Sequence, residues 1–147
     1  MRLPASHDLA KVAHCSTFTS ATTTTGIVID ARGYTYLTLI MGFGTCTGTT
    51  PTLLMKCTRD DNSGMSSATD MAGWTTGTIA GVEALDDTTH IIHGPINDTN
   101  MERYIRTSIT TGATVTSIPV CVIAILSNGP TVPTSANYTT YVTATGT

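Results

Sequence analysis

The sequence RYIRTSITTGATVTSIPVCVIAILSNG occupies residues 103–129 and contains the strongest strand pattern of the chain. Tyr104, Ile105 and Ile109 supply the aromatic and β-branched side chains that favour strands. The Thr-Thr-Gly-Ala sequence at 110–113 has the composition of a tight turn. This pattern predicts a central β-hairpin, with Gly112 at its turn, around which the other strands are arranged.

Both faces of the second predicted strand are apolar. The apolar run at 118–126 is far shorter than the roughly 20 residues that a membrane-spanning helix needs. An antiparallel strand with one face in water alternates apolar and polar side chains. Here Val122 lies on one face and Ile123 on the other, each among further apolar residues. We expect an opposing sheet to cover one face and a neighbouring subunit the other, which makes Val122 and Ile123 interface candidates.

Threonine takes the place of charged residues over much of the chain. Only 12% of the 147 residues are charged, about half of the usual share, whereas about a fifth are threonine. Threonine is β-branched and favours strands over helices. A chain of this length forms one domain with a substantial core. The composition therefore predicts a single all-β domain.

The order of the strand patterns predicts one β-sandwich between two arms. Roughly six to eight short strands within residues 26–129 fit a two-sheet antiparallel β-sandwich that is jelly-roll-like. Within this domain, we expect residues 65–77 to form a loop anchored by Trp74. Residues 1–25 show no sustained strand pattern, and residues 130–147 are rich in Pro and Thr. We expect these two segments to extend from the core as N- and C-terminal arms.

Charge and targeting features narrow the classes of partner. The formal net charge of −3, without a basic patch, argues against nucleic-acid binding. The first residues, MRLPASHDLAK, lack the apolar core of a signal peptide, and no later segment has the length and hydrophobicity of a transmembrane helix. We therefore expect no membrane partner and synthesis in the cytoplasm. The four cysteines form no short pairing motif, so free thiols are expected.

The sequence predicts no catalytic residue, no cofactor and no metal site. The adjacent Ser-His-Asp at 6–8 has the residue types of a hydrolytic triad, but a working triad converges from separated segments. His90 and His93 lie three apart on a predicted strand and should point to opposite faces. The Asp-Asp-Asn sequence at 60–62 lacks the spaced ligands of a calcium loop and is typical of a turn.

Four further residues are candidates for an interface. Arg103 and Arg106 lie three apart on the central hairpin, where they are either solvated or form ion pairs across an interface. Tyr138 and Tyr141 are the largest side chains of the predicted C-terminal arm. Low charge and high threonine content suit this arm to adding a strand to a partner's sheet, and the alternative is a tail without a partner.

A family resemblance rests on three segments, IDARGYTYLTLIMGFG, TLLMKCTRDDNSGMSSATDMAGW and RYIRTSITTGATVTSIPVCVIAIL, which lie within residues 26–130. The first contains a D-x-R-G-Y entry to a core strand, the second a K-x-T-x-D-D strand end, and the third an R-Y-I-R strand. The matching residues are Asp30, Arg32, Gly33, Tyr34, Lys56, Thr58, Asp60, Asp61, Arg103, Tyr104, Ile105 and Arg106. With these motifs, the chain resembles the small β-sandwich structural proteins encoded near the capsid genes of tailed bacteriophages.

The resemblance implies a capsid decoration or cement protein. Such a virion protein binds the outside of the capsid, stabilises contacts between subunits of the major capsid protein and has no enzymatic activity. The resemblance also implies a homo-oligomer, either a dimer or a trimer, made in the cytoplasm of the host bacterium. Similar sandwiches serve instead as tail or head-fibre components, so the alternative is a module that binds a host receptor or glycan. Trp74, Tyr34 and Tyr36 are then the aromatic candidates for its binding pocket.

Overall fold

The prediction of an all-β protein is confirmed. The computed structural model describes residues 9–81, 88–96, 103–128 and 140–143, and every regular element within these ranges is a β-strand. The strands in chain order are β1 Leu9–Phe18, β2 Thr23–Asp30, β3 Tyr36–Phe43, β4 Thr47–Asp60, β5 Thr69–Ala80, β6 Thr89–Pro95, β7 Tyr104–Ser127 and β8 Thr140–Thr143.

The 24-residue strand β7 is the centre of the fold. Its first half pairs with β2 on one side and β4 on the other, and its second half pairs with β1 and β3. All four pairings are antiparallel. Strand β7 therefore joins two groups of neighbouring strands and pairs directly with four of them.

The predicted hairpin within this segment is wrong, because β7 continues through the Thr-Thr-Gly-Ala sequence. Strand β4 pairs with β7 on both sides of the expected turn, from Asp60 opposite Tyr104 to Thr47 opposite Ser117. The backbone hydrogen bonds of this long β4–β7 ladder keep the backbone of β7 extended through the segment. Gly112 does not have a positive φ; the local irregularity lies at Ala113, with a φ of 59°.

The strands form one sheet that is nearly closed into a barrel. Along its main path the strands follow the order β5-β4-β7-β3-β6-β8, with β1 and β2 added beside β7. Strand β5 also contacts β6, with no ladder between them in the described residues. All pairings are antiparallel except β6 with β8. The predicted two-sheet sandwich or jelly roll is not confirmed by this arrangement.

The core is formed by the inward positions of the long strands. In β3 these are Leu37, Leu39 and Met41, and in β4 they are Leu53, Met55 and Cys57, as their alternation predicts. Trp74 is also in the core, with 3% of its surface exposed. The loop predicted around Trp74 is wrong, however, because Thr69–Ala80 forms strand β5.

From Leu9 onward, the predicted N-terminal arm is part of the sheet. Strand β1 pairs with β7 from Leu9 opposite Leu126 to Phe18 opposite Ile118, and β2 begins at Thr23. A bulge between Val12 and His14 interrupts the register of this pairing. A bulge resets the alternation of faces, so the segment carries no continuous strand pattern.

Part of the predicted C-terminal arm also belongs to the sheet. Thr140–Thr143 forms β8, which pairs in parallel with β6, so that Tyr141 lies opposite Ile91. The segment TYVT consists of β-branched and aromatic residues, which favour strands. This pairing extends the chain's own sheet, whereas the sequence predicts an arm directed at a partner. Tyr138 lies outside the described residues.

Candidate interaction surface

The two faces of β7 differ in their environment. Val122 is fully buried, together with the residues that share its face: Ile118, Val120, Ala124 and Leu126. Ile123 points the other way and is 38% exposed. The structure therefore assigns Val122 to the core and leaves Ile123 as the interface candidate on this strand.

Ile123 lies in an apolar row that crosses three strands. Its cross-strand neighbours are Val12 on β1 and Ile40 on β3. Val12 is 55% exposed, and Ile40 is half-buried. Cys121 and Ile125, two positions away from Ile123 on β7, are also half-buried. We call Val12, Ile40, Cys121, Ile123 and Ile125 the outer apolar face.

The outer apolar face has no charged side chain among its strand positions. The residues that share this side of β1, β7 and β3 by register are Ala10, Val12, Cys15, Thr17, Pro119, Cys121, Ile123, Ile125, Thr38, Ile40 and Gly42. A groove beside it, lined by Val12 and Ile27, extends the apolar surface to β2, where Ile27 is 49% exposed. An apolar surface of this kind is a feature of interaction sites.

The opposite end of the sheet is polar by comparison. Lys56 on β4 and Asp70 on β5 form an ion pair with an Nζ–Oδ2 distance of 2.7 Å. Thr58 donates a hydrogen bond from Oγ1 to the carbonyl oxygen of Arg106 across the β4–β7 ladder, at 3.2 Å. These polar side chains are satisfied within the chain, so the β4–β5 side is the weaker candidate for a contact surface.

Arg103 forms its ion pair inside the chain. Its Nη2 lies 2.6 Å from Oδ2 of Asp30, and its Nε donates to the same carboxylate, 3.0 Å from Oδ1. The guanidinium also lies 4.9 Å from the centre of the Tyr104 ring, within cation–π range. The hydrogen bond from Arg103 lowers the pKa of Asp30 from 3.8 to about 2, with help from the backbone amide of Arg32.

Arg106 is less exposed and lies between two strands. Its neighbours across the ladders are Val28 on β2 and Thr58 on β4. Its Nε is buried and has no hydrogen-bond partner among the described residues. Neither arginine is part of the outer apolar face, so the structure does not bring the predicted interface residues together in one place.

The aromatic candidates for a glycan site lie in three different environments. Trp74 is in the core, whereas Tyr36 is half-buried and stacks on His93 with ring centres 5.6 Å apart. Tyr34 lines a cleft of about 360 Å³ together with Arg32 and Asp61. Only Tyr34 is therefore placed beside polar groups in a cleft.

The two histidines of β6 point to opposite faces, as the sequence predicts. His90 packs edge-on against Phe43 of the core, whereas Nδ1 of His93 lies 2.8 Å from the hydroxyl of Thr38. Burial lowers the pKa of both histidines, which favours the neutral imidazoles. Within the described ranges, no three His, Cys, Asp or Glu side chains are grouped so as to hold a metal ion.

The Asp-Asp-Asn segment at 60–62 has the hydrogen bonds of a turn. The Asp60 carboxylate accepts hydrogen bonds from the amides of Asn62 and Ser67, at 2.9 and 2.8 Å. These backbone donors lower the pKa of Asp60, the larger effect coming from Asn62. The carboxylate thus has a role in the local backbone structure. The Ser-His-Asp sequence at 6–8 lies outside the described residues.

Sequence reasoning missed three features of this region. Val12 was hidden by the bulge in β1, and Ile27 by the register shift between Thr25 and Val28 in β2. The third is the cross-strand pair of Cys15 and Cys121, which lie directly opposite each other. An alternation test that allowed one bulge would have placed Ala10 and Val12 on the outer side of β1.

Comparisons with known proteins identify no family for this chain, so any function must be inferred from its sequence and structure. No protein-family model matches the sequence, and no curated protein matches it either. In the part of the chain that the structure describes, no helix has the length and hydrophobicity to cross a membrane.

Proposed function

We propose that the chain is a virion structural protein of a tailed bacteriophage, which binds the outside of the capsid and stabilises contacts between major capsid subunits. The observation that carries this proposal is the outer apolar face, where Val12, Ile123 and Ile40 adjoin across three strands without a charged side chain. Such a face favours binding to another protein surface over catalysis.

Burial of apolar surface, repeated by the symmetry of the capsid, would supply the binding energy. Apolar surface contributes about 25 cal/mol for each Å² removed from water, and a standard protein interface buries about 1,600 Å² in total. Val12 and Ile123 are 55% and 38% exposed in the single chain, so both still have surface to bury. On a symmetric shell a modest gain for each copy is multiplied over all copies.

Several finer assignments belong to the same proposal. The partner is the major capsid protein, the chain is a homo-oligomer, and the site of action is the capsid surface after synthesis in the host cytoplasm. A decoration protein of this class is expected to be a two-sheet sandwich. The division of the β7 partners into two groups, β2 with β4 and β1 with β3, supports that finer description.

A matched pair of charge substitutions tests the proposal. Ile123→Asp introduces a charge on the outer apolar face, and Thr78→Asp introduces the same charge at an exposed position of β5. Because both sites are exposed, both variants should fold. A carboxylate buried at an interface without a partner is costly, so Ile123→Asp should weaken capsid binding at least tenfold, which corresponds to about 1.4 kcal/mol.

The measurement is occupancy on capsids purified without the protein, at several concentrations of each variant. We expect Thr78→Asp to bind like the unmodified protein and Ile123→Asp to leave most sites empty at the same concentration. Equal occupancy by the two variants would remove the outer apolar face from the contact. Failure of the unmodified protein to bind would reject the decoration function itself.

A second candidate function rests on the cleft beside Tyr34. Its aromatic ring, the charged groups of Arg32, Asp61 and Arg103, and a volume of about 360 Å³ suit a polar ligand such as a glycan. This arrangement favours the tail or head-fibre alternative. Copy number separates the two functions, because a decoration protein occurs in hundreds of copies in each virion and a tail or fibre part in about a dozen or fewer.

A further inference from the structure

Two cysteines from distant parts of the sequence meet on neighbouring strands. Cys15 of β1 lies directly opposite Cys121 of β7 in an antiparallel pair. The bulge between Val12 and His14 produces this alignment, because without it Cys15 would lie opposite Val120. Directly opposite residues of antiparallel strands have Cα atoms about 4.5–5.5 Å apart, which is within the range of about 4.4–6.8 Å found for disulfides.

The pair is accessible to small reagents. Cys15 is exposed and Cys121 is half-buried. On the other flank of Cys121 the opposite residue is Gly42, where even a Cβ atom would touch nothing within 4 Å. The two cysteines and Gly42 line an open cleft of about 520 Å³. A small disulfide can therefore approach both sulfur atoms.

The other two cysteines provide an internal comparison. Cys46 and Cys57 are buried, with 4% and 1% of their surface exposed. Burial raises the pKa of the Cys57 thiol to about 12, which suppresses the reactive thiolate. Burial also raises the pKa of the Cys121 thiol, so the exposed Cys15 reacts first and Cys121 follows as its neighbour across the ladder.

We propose that Cys15 and Cys121 form a redox-active dithiol, which low-molecular-weight disulfides such as glutathione disulfide convert into a cross-strand disulfide. Both cysteines lie on the side of the sheet that carries the outer apolar face, so the reaction is proposed for the free, unbound protein. Its test does not require capsid binding.

The reaction consists of two thiol–disulfide exchanges. The exposed Cys15 thiolate attacks one sulfur of glutathione disulfide, so that a mixed disulfide forms and one glutathione leaves. The Cys121 thiolate then attacks the Cys15 sulfur, which forms the protein disulfide and releases the second glutathione. In total, the two protein thiols lose two electrons and two protons. The two molecules of reduced glutathione carry these electrons and protons away.

The geometry predicts a reversible bond that holds β1 to the sheet. Cβ atoms of directly opposite residues are about 4.5–5.5 Å apart, whereas disulfides have a mean Cβ separation of about 3.8 Å. Closing the bond pulls the two strands together, and strained disulfides are more easily reduced. The oxidised protein should therefore return to the dithiol form with a mild thiol reductant.

The experiment treats the folded full-length protein with glutathione disulfide, alkylates the remaining thiols and maps the peptides by mass spectrometry. We expect one linked peptide pair containing Cys15 and Cys121, no retained glutathione, and full reversal by dithiothreitol. The control variant Cys46→Ser should react in the same way. Alkylation of both Cys15 and Cys121 after treatment, a stable glutathione adduct on the unmodified protein, or a disulfide between two chains would each overturn the proposal.

A second variant tests the order of the two steps. Cys121→Ser retains the exposed Cys15 but lacks the thiol that resolves the mixed disulfide, so it should keep one glutathione on Cys15. Cys15→Ser, a substitution at an exposed position, should keep little glutathione over the same time. Equal adduct formation by the two variants would contradict attack by Cys15.

Discussion

Three glycines in strands provide a graded test of how closely the backbones pack. None of them has a positive φ, so the effect of a side chain depends on the space around it. At Gly26 an added Cβ would overlap the backbone carbonyl oxygen of Ala13 on β1. At Gly112 it would lie 2.7 Å from the hydroxyl oxygen of Thr52, and at Gly42 it would touch nothing within 4 Å.

The expected changes in the free energy of unfolding follow from two opposing effects. Alanine in a strand interior is better than glycine by about 0.5–1 kcal/mol, because the unfolded chain has less freedom to lose. Gly42→Ala should show this gain in full. For Gly112→Ala the Thr52 hydroxyl can turn away, so stability should stay within about 1 kcal/mol of the unmodified protein.

Gly26→Ala should be strongly destabilising, since its obstacle is backbone. The carbonyl of Ala13 moves only if β1 shifts on the sheet, and overpacking of a tight site costs about 1–3 kcal/mol or more. Because the obstacle is a backbone atom, the upper end of this range applies, and after the gain from alanine is subtracted we expect a net loss of about 2 kcal/mol. In a domain of this size, that loss lowers the melting temperature by roughly 5–8 °C.

Urea unfolding followed by circular dichroism measures all three variants with one protocol. The order of midpoints should be Gly42→Ala highest and Gly26→Ala lowest, at similar m-values. If Gly26→Ala unfolds at the same urea concentration as Gly42→Ala, then the backbones of β1 and β2 do not approach each other closely at Gly26, and the reasoning is refuted.

Three further predictions concern single side chains. Thr107→Val should raise the free energy of unfolding by about 1–2 kcal/mol, because the Thr107 hydroxyl is buried without a hydrogen-bond partner among the described residues; a lower urea midpoint would contradict this. Asp30→Asn should cost less than about 1 kcal/mol at neutral pH, as the pair with Arg103 is solvent-exposed. The folded-state pKa of Asp30 is lowered from 3.8 to about 2, so its contribution to the free energy of unfolding is present above pH 3.8 and is lost as the pH falls towards 2. The melting temperatures of Asp30→Asn and of the unmodified protein should therefore converge near pH 2. Burial lowers the pKa of the His93 imidazole, so its NMR titration midpoint should lie below 6.5. Its protonation should destabilise the fold as the pH falls through that midpoint. A midpoint at or above 6.5 would be inconsistent with its buried position beside Thr38.

The parts of the fold that could be predicted are those where alternation is uninterrupted. In β4, Leu53, Met55 and Cys57 are spaced two apart with polar residues at 56 and 58, and this spacing alone predicts that they face the core, because one face of a strand repeats every second residue. The Thr-Thr-Gly-Ala sequence misled because turn composition is a local signal. The ladder with β4 that keeps Gly112 in a strand joins residues that are far apart in the sequence.

Irregular strands could not be read in this way. The bulge in β1 resets the faces after Val12, and the pairing of β5 with β4 shifts register twice near Lys56. Strand β5 also contains Gly73 and Gly77, both with positive φ angles. Glycines at such positions are typical of loops, so the sequence of β5 resembles that of a loop. Among the site residues, Ile123 was identified from its apolar surroundings, but the ion pair of Asp30 and Arg103 joins residues without any local signal.

The central position of β7 has a consequence for how the chain is made. β7 pairs with four strands that all precede it, so β1 to β4 leave the ribosome before their common partner exists. Pairing at such sequence distances is slow, and the waiting strands expose edges on which aggregation begins. A chain that stops before residue 104 lacks the partner of every one of these four strands and fails to fold as a whole. Only chains that extend through β7 then reach the native state, so truncation before this strand yields no folded product.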